Sequence, residues 1–386
     1  MFYKQGKEVV RFVDGVFAIS NAAKADKDPS TVNASVGSLF NEDGVLATFN
    51  TVFDSYNKVD NRTRAAYAKS PAGNPEFRKV YRDYVLEGRC QGEAVAVAGG
   101  TAALSLAVEM CLNEGETVIA PAIAWGNYQQ IIKEHGLKSV TYDIYDVDDL
   151  VNKIESAERA FVIVNSPCQN PTGHSYTYEE WQKITKALNS KKEAILLNDV
   201  AYLDYAFDKD AKKYMELFNE LNETVLVLMA CSCSKTFSYY GQRLGALMVI
   251  HKDAELVDLF VNQCEKHIRT TYASCNNACM TNITDVLENH LEEFNEEKNF
   301  YKDLLEKRAK MFIAECDEQG IEYYPYKEGF FVTLKMPNNE YRDQLHQRML
   351  DNHIYCIKLN MGIRVGICAT PFKKLEGLAK RIKDLM

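Results

Sequence analysis

Lys235 stands in the run Cys231-Ser-Cys-Ser-Lys-Thr-Phe-Ser-Tyr-Tyr-Gly-Gln-Arg-Leu-Gly245. Ser232 and Ser234 sit just ahead of it, and Arg243 follows in the same short stretch. A lysine amine can bond covalently to an aldehyde as a Schiff base, whereas small hydroxyls and a forked guanidinium hold a dianionic phosphate. Together the two sets suit an aldehyde that carries a phosphate. The apolar run Thr224 to Ala230 ahead of them reads as a buried strand. Lys235 therefore falls just past a strand end, where α/β folds place their chemistry. In isolation, small residues and a lysine in an ordinary loop would look the same, so the other clusters carry the weight.

Asn170-Pro-Thr-Gly173 follows the strand-like run Ala160 to Asn165. By residue type it is a turn, since Asn, Pro and Gly all favour one. Asp199-Val-Ala-Tyr202 follows the buried run Ala194 to Asn198. A carboxylate at a strand end facing a cleft can pair with a protonated ring nitrogen, and the phenol after it can donate to a ring oxygen. A solvated aspartate and a core tyrosine are the plainer reading of the same residues. The gap from Asp199 to Lys235 accommodates one helix and one strand, so both groups can emerge on one sheet edge. Gly99-Gly100-Thr101 lies between a strand-like run, Glu93 to Ala98, and a helical pattern, Ala102 to Leu112. Backbone amides at a helix N-terminus attract phosphate. No Gly-x-Gly-x-x-Gly dinucleotide fingerprint occurs there, and no Gly-x-x-x-x-Gly-Lys phosphate loop occurs in the chain.

Such residues need a scaffold that brings strand ends together. Thr117 to Ala120, Lys138 to Tyr142 and Leu244 to Ile250 complete a set of strands with Trp125 to His135 and Tyr178 to Leu188 as helices between them. Strands separated by helices mean mostly parallel pairing with right-handed crossovers. From Asp285 to Glu318 the chain is charged and helix-prone, with Leu287, Leu291, Phe294, Leu304 and Leu305 as inner positions, and it is long enough to bridge two lobes. Gly329 to Leu334 and Ile363 to Cys368 follow as strands, and Lys374 to Leu385 as a terminal helix. The expected fold class is α/β. A large domain over residues 46–290 carries a mostly parallel seven-stranded sheet flanked by helices, and residues 1–45 with 291–386 form a smaller α/β domain.

Bulk properties narrow the function classes. A chain of 386 residues has room for about two or three units of roughly 150 residues. A net charge of −9 with no long basic run argues against a nucleic-acid or anionic-membrane surface. The 11 cysteines are odd in number and scattered, which points to free thiols in a reducing, cytoplasmic compartment. Seven histidines without a His-Glu-x-x-His pattern give no metal site. Met1 to Ser20 is broken by Lys4, Lys7, Glu8, Arg11 and Asp14 and lacks a signal-peptide core. No apolar run reaches the roughly 18 residues of a membrane span.

Taken in order, Asn170-Pro-Thr-Gly, Asp199-x-Ala-Tyr202, Ser232-x-Ser-Lys235 with Arg243, and Arg364 in Gly362-Ile-Arg-Val-Gly366 give the chain a family resemblance. It resembles the fold-type I pyridoxal-phosphate enzymes of the class I aminotransferases, most of all the aspartate and aromatic branch, from about Asn33 to the C-terminus. The resemblance implies Lys235 as the Schiff-base lysine and proton carrier, and Asp199 as the partner of the pyridinium nitrogen. Asn170 and Tyr202 would hydrogen-bond the ring's phenolic oxygen. Gly100, Thr101, Ser232, Ser234 and Arg243 would surround the phosphate, joined by Tyr67 from a neighbouring subunit. Trp125 would cover the ring, and Arg364 would grip the substrate α-carboxylate, with Gly37 and Asn170 beside the substrate.

Arg269, in His267-Ile-Arg-Thr-Thr-Tyr272, resembles the segment that supplies a side-chain-carboxylate arginine from the partner subunit. That implies aspartate and glutamate as amino donors, a 2-oxo acid such as 2-oxoglutarate as acceptor, and a homodimer with shared active sites. The chain departs from the branch next to it: Ala273-Ser-Cys-Asn-Asn277 lacks the prolines usual there, and Asn165 stands where a histidine is common. The spacing from Tyr67 to Gly73 is also one residue longer. These departures bear on the distal pocket, and 22 Tyr and 18 Phe leave room for an apolar lining that would take aromatic substrates. A pyridoxal-phosphate lyase or decarboxylase on the same fold, and a non-catalytic binding protein, are the alternatives.

Overall fold

The computed structural model describes residue 11 and residues 13–386. The expectations for a signal-peptide core and for the span 1–45 fall partly on residues 1–10 and 12, outside the described residues.

Seven strands form the main sheet: β1 (Glu93–Val97), β2 (Thr117–Pro121), β3 (Lys138–Tyr142), β4 (Ala160–Asn165), β5 (Ala194–Asp199), β6 (Val225–Ser232) and β7 (Gly245–Ile250). Their spatial order is β1-β7-β6-β5-β4-β2-β3. β7 runs antiparallel to both neighbours, and the other pairs are parallel. β4 and β5 are buried along their whole length. Central strands covered on both faces must be, and so they read as unbroken apolar runs. Alternate side chains face opposite ways. Ala94 and Ala96 of β1 enter one apolar core with Phe77, Trp181 and Met229. Val95 and Val97 enter another with Phe161 and Leu247.

Register then aligns the chemistry. Asn165 of β4 pairs with Asp199 of β5, and Asp199 with Ala230 of β6. The carboxyl ends of three adjacent strands therefore finish nearly level and share one edge. Ser232 and Val97 both pair with Gly245 of β7. That brings the Gly99 loop alongside the end of β6.

Six helices matter for the site: α1 (Gly15–Ala25), α2 (Gly100–Cys111), α3 (Asn127–Glu134), α4 (Ala254–Thr271), α5 (Asn277–Asn289) and α6 (Leu291–Gln319). Asp14 caps α1 by accepting from the Val16 and Phe17 amides. α6 serves two cores: Phe294 packs in the first, while Leu305, Ala309 and Phe312 pack with Leu39, Val332 and Ile363 in a third. The smaller sheet is antiparallel, with β8 (Phe331–Lys335), β9 (Ile357–Leu359) and β10 (Gly362–Gly366) in the order β9-β10-β8. Arg364 lies mid-strand in β10, opposite Thr333 and Ile357. Val32–Asn33 pairs in parallel with Ile354–Tyr355 and ties the N-terminal segment to the C-terminal third.

Among the elements that differ from their expected bounds, three show the cause in the backbone. The strand expected to stop at Ala230 continues to Ser232, because Cys231 and Ser232 still pair with Ala246 and Gly245. Lys235 follows in a helical turn, Cys233–Thr236. The helix expected over 285–318 is two helices, broken at His290, where the backbone leaves the helical region with φ −136 and ψ 26. The expected terminal helix is likewise split by Gly377, at φ 73, into Phe372–Leu375 and Leu378–Lys383.

Candidate active site

A cavity of about 1140 Å³ opens at the carboxyl edge of β4, β5 and β6 and is lined by Asn170, Asp199, Tyr202, Lys235, Arg243 and Arg364, among others. Lys235 Nζ donates to the Gly37 carbonyl at 2.6 Å. The same nitrogen lies 4.8 Å from the Tyr240 ring centroid and 5.6 Å from that of Tyr202. Burial, aided by the charges of Arg364 and Arg243, pulls the amine from an ordinary 10.5 down to about 8. A substantial share of it is therefore neutral at slightly alkaline pH, which a nucleophilic or proton-accepting lysine requires.

Asp199 ends β5 and is buried. Its Oδ2 accepts from the Tyr128 hydroxyl at 2.7 Å and its Oδ1 from the Ala201 amide at 3.0 Å. Burial raises its pKa, and these two donors with the Lys235 charge oppose that shift. A buried carboxylate held by two donors is poised for a cationic partner, which would lower the remaining cost of its charge. Asn165 steadies the same strand end: its Nδ2 donates to the Asp199 carbonyl at 2.8 Å, and its Oδ1 accepts from the Asn170 amide at 2.9 Å.

Arg364 is only 5% exposed. Nη1 donates to Asn170 Oδ1 at 3.0 Å and Nη2 to the Ser35 carbonyl at 2.7 Å. Its guanidinium carbon lies 4.2 Å from the Phe331 ring centroid. Nε is buried without an acceptor, so a planar anion would complete what the protein leaves unpaired. Asn170 Nδ2 in turn points to the Tyr202 hydroxyl at 3.4 Å.

The opposite end of the cavity is built for an anion. Gly100 and Thr101 open α2, and Gly99 before them has φ 90 and ψ 172. Arg243 Nη1 donates to Ser234 Oγ at 3.1 Å, and Nη2 donates to the Ala98 carbonyl at 3.2 Å. A Cβ on Gly99 would stand 2.4 Å from Arg243 Nη2, and one on Gly100 would stand 3.1 Å from Ser232 Cβ. Only glycine lets this loop and the guanidinium approach so closely.

Of the residues expected from sequence, Lys235, Asp199, Tyr202, Asn170, Gly100, Thr101, Ser232, Ser234, Arg243, Trp125, Gly37 and Arg364 all line this one cavity. Tyr67 and Arg269 do not. Tyr67 is 85% exposed on a loop, and Arg269 is exposed in the last turn of α4. Two further residues escaped the sequence reading. Tyr128, on α3 just past Trp125, holds Asp199 and meets Trp125 edge-on at 5.8 Å. Tyr240, between Lys235 and Arg243, faces the amine and accepts from the Leu39 amide at 2.9 Å. The available signal was Tyr240's place inside the Cys231 to Gly245 run and Tyr128's nearness to Trp125.

Pyridoxal phosphate fits these groups. There is an amine for its aldehyde, a buried carboxylate for its ring nitrogen, and a donor cradle, closed by Gly99, for its phosphate. Among the described residues no group of three His, Cys, Asp or Glu could hold a metal ion. No helix among them is long and apolar enough to cross a membrane.

Comparison with known proteins gives the same direction. The family model described as aminotransferase class I and II matches residues 32–382. The cytoplasmic aspartate aminotransferase of Dictyostelium discoideum is 29% identical over 396 residues, covering 96% of this chain and 88% of that protein. The crystal structure of an aminotransferase from Anaerococcus prevotii superposes with a TM-score of 0.94 at 26% identity, covering 100% of this chain and 99% of the other. An aromatic-amino-acid aminotransferase from Burkholderia pseudomallei, covalently bound to pyridoxal phosphate, shares the fold with a TM-score of 0.82 at 21% identity, covering 100% and 99%.

Proposed function

The chain belongs to the class I and II aminotransferases, and from that premise we propose that it moves the amino group of an L-amino acid, aspartate or glutamate and also aromatic ones, to a 2-oxo acid such as 2-oxoglutarate. The observation that carries this reading is the convergence of Lys235, Asp199, Arg243 and Arg364 on one cavity. Pyridoxal phosphate, when bound, supplies an aldehyde for the substrate amine and a ring that takes up the electron pair of the broken Cα–H bond.

The chain's own residues do the rest. Lys235 Nζ, with its lowered pKa, would take the proton from the substrate Cα as general base and deliver it as general acid to the carbon that was the cofactor's aldehyde. Asp199 holds a compensating negative charge at the cavity floor, kept in place by Tyr128 and the Ala201 amide. Arg243, Ser232, Ser234, Gly100 and Thr101 would hold the phosphate, and Asn170 with Tyr202 would hydrogen-bond the ring's phenolic oxygen. Arg364 takes the α-carboxylate with a fork anchored in advance by Asn170 and Ser35.

Two residues give the proposal its dimer. Tyr67 and Arg269 are exposed and stand outside their own chain's cavity. This supports roles toward a neighbouring subunit's phosphate and a substrate's side-chain carboxylate. The division into a cofactor unit over 46–290 and a smaller unit over 1–45 and 291–386 belongs to the same reading, supported by separate apolar cores meeting along α6. A cytoplasmic location does too, supported by free cysteines such as the buried Cys231 and Cys368.

The test is product analysis with purified protein. Oxo-acid formation that requires an added 2-oxo acid is expected, lost in Lys235→Ala. Release of ammonia or carbon dioxide without an acceptor, or full turnover by that variant, would reject the reading. Kinetics with aspartate, phenylalanine and tyrosine fix the substrate preference.

A further inference from the structure

A second cavity of about 570 Å³, lined in part by Tyr84, Asp204, Lys212 and Lys298, shares no lining residue with the first. Asp204 follows Tyr202 in the short turn Leu203–Tyr205, and its side chain is only 8% exposed. Its Oδ2 accepts from Thr236 Oγ1 at 2.7 Å and its Oδ1 from the Tyr84 hydroxyl at 2.6 Å. Lys298 Nζ lies 3.5 Å from Oδ1 and donates to the Tyr84 hydroxyl at 2.9 Å. Thr236 is the residue after Lys235, in the same helical turn. Tyr205 adds a second hold on that turn, donating from its hydroxyl to the Lys235 carbonyl at 3.2 Å.

A carboxylate at this depth is a costly way to fill space, since apolar residues of similar volume would pack there without losing hydration. What a carboxylate adds is directional, short, charge-assisted hydrogen bonds. Burial alone would raise the pKa of Asp204, but the charges of Lys298 and Lys212 and the hydroxyls of Tyr84 and Thr236 outweigh it and hold it at about 2. The group is therefore ionised at any working pH. Among the other charged groups near it, Lys212 is paired with Glu87 at 2.7 Å, and Lys302 donates to the Ala206 carbonyl at 3.0 Å.

We infer that Asp204, with Lys298 as its counter-charge, is a positioning residue that acts through Thr236 to fix the turn presenting the Lys235 amine. Lys298 belongs to α6, which packs in both the first and third cores. The turn is thus tied to the helix shared with the smaller unit. The inference rests on Lys235 being the proton carrier proposed above.

The holoenzyme of Thr236→Val, Thr236→Ser, Asp204→Asn and Lys298→Met tests it, with Lys235→Ala as the reference. Misplacement of a reacting group by about an ångström can cost on the order of a hundredfold in rate. Thr236→Val and Asp204→Asn should therefore lower kcat by roughly ten- to a hundredfold, with KM for the amino acid nearly unchanged. Thr236→Ser should restore kcat, and Lys298→Met should show a smaller loss than Asp204→Asn. The pH midpoint of the absorption band of the lysine-bound cofactor should move by about half a unit or more in the first two variants. A folded Thr236→Val enzyme with wild-type kcat and spectral midpoint overturns the inference. So does a loss that follows the melting temperature alone while the midpoint stays put. If Lys235→Ala itself turns over, the proton-carrier reading fails instead, so the two failures are distinct.

Discussion

Arg364 donates from Nη1 to Asn170 Oδ1 at 3.0 Å. This bond joins the middle of the small sheet to the turn that follows β4, across the cavity between them. Because Asn170 also reaches the Tyr202 hydroxyl at 3.4 Å, one amide links the guanidinium to the phenol beside Lys235. The guanidinium is anchored at both Nη atoms and laid over Phe331 at 4.2 Å. Its orientation is therefore set before a carboxylate arrives, which lowers the ordering cost of binding.

Arg364→Lys keeps the charge and loses the fork. A hydrogen bond to a charged group contributes about 1.5–3 kcal/mol, so KM should rise on the order of ten- to a hundredfold. Since every amino acid carries the α-carboxylate, aspartate and phenylalanine should suffer by the same factor. Steady-state kinetics on both substrates checks this, and an effect confined to aspartate would move Arg364 to the side-chain pocket.

Gly99→Ala should separate phosphate binding from catalysis. At φ 90 and ψ 172 the backbone occupies a region nearly reserved for glycine, worth about 1–3 kcal/mol of strain for another residue. The new methyl would also stand 2.4 Å from Arg243 Nη2, so the guanidinium must shift away from Ser234. Cofactor affinity should fall by about tenfold or more, measured by titrating the cofactor-free protein. Unchanged affinity would remove Arg243 and the Gly99 loop from the phosphate site.

Much of this site is legible in the sequence, for a physical reason. β4 and β5 are covered on both faces, so their apolar runs are unbroken, and Asn170, Asp199 and Lys235 follow strand ends that register brings level. Tyr128 hid because a buried tyrosine at helical spacing looks like core until its hydroxyl is seen on Asp199. Asp204 hid because its partners, Tyr84, Thr236 and Lys298, come from distant parts of the chain. The break at His290 hid because Leu287, Leu291 and Phe294 keep a helical apolar spacing across it. Tyr67 and Arg269 raise a different problem, since no geometry within one chain brings either of them to the cavity.

The Lys235 amine sets a pH dependence whose sign is fixed. In the cofactor-free protein its pKa lies near 8 rather than 10.5. Between those values the unfolded chain binds the extra proton and the folded chain does not, so stability rises with pH there. Below about 8 the buried amine is charged in both states, and that gain is absent. Acetylation of Lys235, followed by mass spectrometry of its peptide, should therefore rise through pH about 8. A midpoint at the ordinary lysine value would contradict the lowered pKa, and loss of the pH-dependent stability in Lys235→Met would assign the effect.

Subunit mixing tests whether Tyr67 and Arg269 act across a boundary. In a two-fold dimer, each site would take Lys235 from one chain and Arg269 from the other. Lys235→Ala and Arg269→Ala homodimers should each be poor with aspartate, the first for want of a proton carrier and the second for want of the carboxylate clamp. A mixed dimer contains one site with an intact Lys235 and the partner's intact Arg269, and one site lacking both. Random mixing in equal amounts should then restore about a quarter of the aspartate activity of wild type. If Arg269 instead served its own chain's cavity, every mixed dimer would carry one defect in each site, and mixing would restore nothing. The same cross with Tyr67→Phe, read by cofactor affinity, separates the phosphate contact from the carboxylate clamp. Both outcomes depend on where these side chains reach in the assembly, since within one chain they are exposed and stand outside the cavity.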